Sequence, residues 1–197
     1  FSGDVNAFYS ADDPHNLSPV AKSFMAGLLR HAAEITAITN QTVNSYKRLV
    51  PGFEAPVHVS WARNNRSGLI RVPVPKRGNA SATRIEYRSP DPACNPYLAF
   101  SVILAAGMKG VREGYELPPE ADANLFEMGD VDLDALGITQ LPQSLADALK
   151  VMESSELVRE ALGEHIFEWF LRNKRHEWRE YKTQVTPYEI NRYLKSL

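Results

Sequence analysis

Cysteine is nearly missing from this chain of 197 residues: Cys94 stands alone, which excludes an intramolecular disulfide framework and fits a reducing compartment. Long apolar runs are missing too. No stretch approaches the roughly 20 residues that span a bilayer, and no signal peptide opens the chain, so a cytoplasmic protein without a membrane partner is expected. Phe1 leads straight into polar, turn-rich sequence with no initiator methionine, so a fragment is expected. Neither a GxGxxG turn nor a GxxxxGK[ST] loop occurs, so a nucleotide would not be held by a Rossmann turn or a P-loop. The net charge is only −2, which argues against a general nucleic-acid binder.

Two local scarcities are more informative. Seven of the fourteen arginines fall between Arg48 and Arg88, where the only carboxylates are Glu54 and Glu86. From Glu113 to Glu164 the balance reverses, with thirteen acids against the two bases Lys150 and Arg159. The basic cluster is therefore local. Guanidinium groups this dense repel unless an anion sits among them, and their planar fork suits phosphate and carboxylate oxygens. Two acids inside such a cluster point to a metal or a proton to be handled. Composition alone leaves an anion pocket and a nucleic-acid contact both open.

What is present suits one α+β domain, with 44% hydrophobic residues for a core. Residues 1–17 read as loop. Ser18 caps a helix that starts at Pro19 and is expected to run to about Thr39, burying Val20, Phe24, Leu28 and Ile35. The segment 47–89 alternates as strands do. Val57, Val59 and Trp61 share one face, and Arg71 points away from Ile70 and Val72. In Arg84-Ile85-Glu86-Tyr87-Arg88 the three charged residues line one face while Ile85 and Tyr87 pack behind. Convergence of Arg84, Glu86 and Arg88 favours the pocket. Beyond Ser89-Pro90-Asp91-Pro92 the chain reads as helical. A nearly apolar helix from about Pro96 to Arg112 is expected to be well buried. A loop spans 113–143. Ser144 and Ser155 cap further helices, a long one runs from Glu164 to about Lys182, and Thr186-Pro187 starts the last.

Several residues have ordinary readings. Asp130, Asp132 and Asp134 alternate as in a calcium loop, but the Gly and the closing Glu are absent from the required offsets, so a solvated loop is expected. His31, His58 and His165 suit structural roles, His176 faces solvent, and Trp61, Trp169 and Trp178 suit packing. Cys94 has no activating neighbours.

Three segments carry a family likeness. Asn44-Ser45-Tyr46-Lys47-Arg48-Leu49-Val50-Pro51-Gly52-Phe53-Glu54-Ala55-Pro56 resembles the flap signature of the glutamine synthetases. Asn65-Arg66-Ser67 followed by Ile70-Arg71-Val72-Pro73 is similar to that family's ATP-phosphate arginine segment. Arg84 through Pro92, with Asn95-Pro96-Tyr97-Leu98, resembles its metal-and-glutamate strand. The resemblance extends over essentially the whole chain. It implies antiparallel strands forming part of an open active-site barrel, flanked by helices and followed by a helical C-terminal region. Residues 1–197 would be the C-terminal portion of the catalytic domain, without the N-terminal domain and the first part of the catalytic domain.

The reaction implied is ATP-dependent ligation of ammonia to glutamate through γ-glutamyl phosphate, with Mg²⁺ or Mn²⁺, in a homo-oligomer that is dodecameric at full length. Carried over residue by residue, Arg48 would hold a glutamate carboxylate, and Glu54 would gate the site and help deprotonate ammonium. Arg66 would bridge the γ-phosphate and glutamate. Arg71, Arg84 and Lys76 would serve ATP, Glu86 the metal, and Arg88 the glutamate side chain. Phe126 stands where the adenylylated branch places its tyrosine. Ala161-Leu162-Gly163-Glu164-His165 and Gln184-Val185 resemble the type I-α branch, which implies glutamine feedback near Glu54 and Arg48. Metal ligands that precede this region in the family are absent, so the chain alone is expected to be inactive. A γ-glutamyl-polyamine ligase and a non-catalytic anion-binding fragment are the alternatives.

Overall fold

The computed structural model describes residues 6–50, 55–63, 67–74, 80–121, 125 and 128–194. The first helical expectation divides in two. Helix α1 spans Pro19–Arg30 and α2 spans Ala32–Thr39, with His31 between them at φ −102° and ψ 10°. Ser18 caps α1 as expected, its Oγ accepting from the Ala21 N–H at 3.1 Å. The break is held by side chains: His31 Nδ1 meets Glu34 Oε1 at 2.7 Å, and Ser155 donates to the other Glu34 oxygen. Leu28 and Ile35 are buried, but Val20 is exposed, because it lies on the side of α1 away from its neighbours.

A short helix α3, Ser45–Arg48, leads towards the sheet. Among the described residues the sheet has three strands in the order β1, β2, β3: His58–Ala62, Gly68–Arg71 and Glu86–Tyr87. β2 and β3 are antiparallel, but β1 and β2 run parallel, with Ala62 opposite Arg71. This corrects the expectation of antiparallel strands throughout. A period of two marks a strand and says nothing of its direction.

The outer edge of β1 is paired by the segment expected to be a plain loop. Val59 N–H donates to Thr139 O at 2.8 Å, Leu141 N–H to Val57 O at 2.8 Å, and Ala121 N–H to Trp61 O at 3.0 Å. His58 and Ser60 are consequently buried together with Trp61. A further helix, α5, spans Asp130–Ala135 inside that segment. Asp132 and Asp134 are exposed on it, in line with a solvated acidic run.

Helix α4, Pro96–Glu113, is capped by Asn95 and crosses α1 and α2. It is not buried all round: Tyr97 is 83% and Phe100 70% exposed, with Leu104 and Met108 also outward. An all-apolar helix is buried only on the sides its neighbours cover, and here they cover the side of Ala99, Val102 and Ala106. Helices α6 (Leu145–Glu153) and α7 (Glu156–Leu162) start at the expected serine caps. Helices α8 (Glu164–Tyr181) and α9 (Pro187–Tyr193) complete the fold, the latter with a Thr186/Glu189 capping box. No helix among the described residues is long and apolar enough to cross a membrane.

Two carboxylates tie the helical layer to pH. Asp13 accepts the N–H groups of His15 (3.0 Å) and Leu17 (3.1 Å) and binds the Lys22 ammonium. Burial pushes its carboxyl up, but Lys22 and these backbone donors outweigh burial and hold it below the ordinary aspartate value. Glu34 behaves alike: burial raises it, and His31 and Ser155 more than offset that. Both values are depressed on folding. Their stabilisation is therefore present above the unfolded carboxylate range, near pH 4, and is lost as pH falls through the folded values. Urea midpoints should drop on acidification, and the drop should be shallower in Asp13→Asn. An equally steep acid limb in that variant would show Asp13 to be uncoupled from folding.

Candidate active site

β2 and β3 gather the charged cluster. Arg71 ends β2 and stands in register with Glu86, which opens β3. Arg71 Nη1 donates to Glu86 Oε2 at 3.2 Å, and Arg84 Nη2 donates to Oε1 at 3.1 Å. One carboxylate thus lies in the grip of two guanidinium groups. The side chains of Arg71, Glu86 and Arg84 are 42%, 32% and 59% exposed. Ion pairs this wet contribute at most about 1 kcal/mol, so stability does not account for the cluster. Each guanidinium has five donors, and one contact to Glu86 leaves most of them to meet an anion.

Behind this face, Ile85 and Tyr87 pack on the core. Burial, opposed by Ser89, pushes the Tyr87 phenol up to about 12, and burial also raises Tyr46. Both phenols are therefore neutral at physiological pH. Arg88 turns to β2: its backbone N–H donates to Leu69 O at 3.0 Å and its Nη1 to Gly68 O at 3.4 Å.

Arg48 reaches the same strand from α3. Its Nη1 donates to Ser89 O at 2.9 Å and its Nη2 to Arg88 O at 3.2 Å. It therefore braces the exit of β3, a role that no local pattern announces, because both acceptors are backbone carbonyls distant in sequence. Gln41 was also not legible as a site-supporting residue. Its Nε2 donates to Ala93 O at 3.1 Å and its Oε1 accepts the Asn95 N–H at 3.4 Å. Together with the 2.9 Å bond from Asp91 N–H to Thr39 O, it pins the turn between β3 and α4.

The structure brings Arg71, Arg84 and Glu86 together and sets Arg48 and Arg88 beside them. Glu54, Arg66, Lys76 and Phe126 lie outside the described residues. A divalent ion needs several oxygen donors. Glu86 supplies one carboxylate, and among the described residues no three His, Cys, Asp or Glu side chains gather in a metal-binding group. The described donors alone do not fit a resident metal.

Residues 1–193 match the family described as glutamine synthetase, catalytic domain. The chain is 59% identical over 194 residues to a glutamine synthetase of Mycobacterium bovis, covering 98% of this chain and 44% of that protein. A glutamine synthetase of Thermotoga maritima is 48% identical over 194 residues, again covering 98% of this chain and 44% of the relative. Among solved structures, GmaS without ligand superposes with a TM-score of 0.80 at 36% identity, covering 96% of this chain and 41% of that one. A GmaS/ADP complex gives a TM-score of 0.81 at the same identity, with 43% of its chain covered. The chain thus spans less than half the length of the curated relatives it matches.

Proposed function

The chain belongs to the glutamine synthetase catalytic-domain family, and on that premise we propose that it is part of an enzyme that ligates ammonia to glutamate at the expense of ATP. In this reading residues 1–197 are the C-terminal portion of the catalytic domain, and the three strands belong to an open active-site barrel completed by other parts of the polypeptide. The observation that carries the reading is the pairing of Arg71 and Arg84 with Glu86 on adjacent strands, in a chain whose family match runs almost end to end.

The chemistry asks for what the cluster supplies. Glutamate and ATP are both anions, and phosphoryl transfer to the γ-carboxylate brings them into contact, so positive charge must be fixed in advance. Arg71 holds ATP phosphates, with Arg84 and Lys76 on the nucleotide side. Arg66 bridges the γ-phosphate and glutamate. Arg88 and Arg48 serve the glutamate carboxylates, Arg48 from a guanidinium already anchored on the β3 exit. Glu54 closes over the acyl phosphate, which water would hydrolyse, and helps deprotonate ammonium. Glu86 is proposed as one ligand of a Mg²⁺ or Mn²⁺ ion whose remaining donors lie outside this chain. The complete protein is proposed to be a cytoplasmic homo-oligomer, a dodecamer at full length. Glutamine synthetases among the relatives favour ammonia over a polyamine as acceptor.

The test is phosphate release by the full-length gene product with ATP, glutamate and either ammonium or putrescine. Release that depends on ammonium is expected. Release with putrescine alone would replace the acceptor, and release with neither would overturn the enzyme reading.

A further inference from the structure

A second polar cluster lies where β1 ends, and the functional assignment does not use it. Arg63 follows β1 directly. Its backbone N–H donates to Glu120 Oε1 at 2.6 Å, and its Nη1 donates to His15 Nδ1 at 2.6 Å. Arginine is a donor only, so Nδ1 must accept, which makes His15 the neutral tautomer protonated at Nε2. That Nε2 lies 3.9 Å from Glu120 Oε2. The His15 ring meets Trp61 edge-on, with centroids 5.7 Å apart and planes at 80°, and Trp61 Nε1 donates to Pro118 O at 2.7 Å. Two separate segments, the turn at 13–16 and the 118–121 strap, converge on the arginine that follows β1.

The place of this cluster matters more than its contacts. Ala62, which precedes Arg63, stands opposite Arg71 in the sheet, and the Val72 N–H donates to Ala62 O at 3.0 Å. His15, Arg63, Val72 and Pro73 line one cleft of about 200 Å³. Three residues after Arg63 the sequence reaches Arg66. An anchor on Arg63 therefore fixes the end of β1 next to the strand position that presents Arg71. His15 and Glu120 are partly exposed, so the cluster is not a core element whose loss would simply unfold the domain.

We propose that Glu120 and His15 are positioning residues for phosphate binding, holding Arg63 so that the ends of β1 and β2, and with them Arg71, keep the register ATP requires. This rests on the ligase reading given above. Neither residue touches substrate in the proposal. They act through Arg63.

Two measurements test it. Nitrogen-15 spectra of the imidazoles in this chain should give His15 as the Nε2–H tautomer, and Arg63→Met, which has no side-chain donor, should remove that bias. In the full-length enzyme, Glu120→Ala should raise KM for ATP about tenfold, the loss expected of one charge-assisted hydrogen bond, with kcat within about twofold of wild type. Glu120→Gln keeps an acceptor for the Arg63 N–H and should restore most of the affinity. His15→Phe keeps the ring on Trp61, removes the accepting nitrogen, and should raise KM for ATP while leaving KM for glutamate unchanged. An Nδ1–H tautomer at His15, or an unchanged KM for ATP in both Glu120→Ala and His15→Phe, would overturn the proposal. A wild-type enzyme lacking ATP-dependent turnover would overturn the ligase reading instead, and the tautomer would still decide whether Arg63 is held as described.

Discussion

Gly110→Ala is expected to cost the domain about 3 kcal/mol or more, a large share of the ~5–15 kcal/mol that holds a domain folded. A Cβ at position 110 would lie 2.1 Å from Ser23 O and 2.7 Å from the backbone N and Cα of Gly27. Side-chain rotation cannot relieve contacts with backbone atoms. Helices α1 and α4 would have to separate, opening the layer around Leu28, Val102 and Ala106. Gly27 faces the same crossing, where a Cβ would meet Ala106 O at 2.3 Å. Two comparisons isolate the effect. At Gly107 the obstacle is the Phe24 ring, at 2.3 Å, and a ring can shift, so Gly107→Ala should cost less. Gly114, the α4 C-cap, has φ +64° and nothing within 4 Å, so Gly114→Ala should cost only the ~1–2 kcal/mol of left-handed strain. Urea unfolding of the three variants gives the order. A Gly110→Ala stability within about 1 kcal/mol of wild type would mean the two helices do not touch as closely as described.

The second large effect is on chemistry. Arg66→Ala in the full-length enzyme should lower formation of γ-glutamyl phosphate by about 10³, the magnitude by which one arginine aimed at a transferring phosphoryl group accelerates other enzymes. Trapping the acyl phosphate with hydroxylamine in single-turnover reactions reads this step directly. Retention of more than about a tenth of the wild-type rate would remove Arg66 from its proposed role. Arg71→Gln should differ in kind. Arg71 would contact phosphates in ground and transition state alike, so KM for ATP should rise more than kcat falls. Because the Arg71–Glu86 pair is well exposed, the folding stability of that variant should stay within about 1 kcal/mol of wild type.

Much of the site was legible because strand alternation is a local property. The five residues Arg84 to Arg88 announce three charges on one face and two packing residues on the other; Arg84 and Glu86 do meet and Ile85 and Tyr87 pack on the core, while Arg88 turns its guanidinium to Gly68 O. The helix starts at Ser18, Ser144, Ser155 and Thr186 were equally legible, since a cap is a contact between near neighbours. The stop at His31 was not. It depends on Glu34 and on Ser155, which arrives from α7. The burial of α4 was misjudged because apolar composition says which faces can be covered, not which are.

The sequence by itself determined the family, most helix starts, the strand faces and the clustering of arginines around Glu86, all of which are written in contiguous segments. Only the tertiary structure decided that β1 and β2 run parallel, that Arg48 braces the carbonyls of Arg88 and Ser89, and that His15 and Glu120 converge on Arg63. The physical reason is the same in each case. These contacts join segments far apart in the chain, and their partners are as often backbone atoms, which carry no residue signature, as side chains.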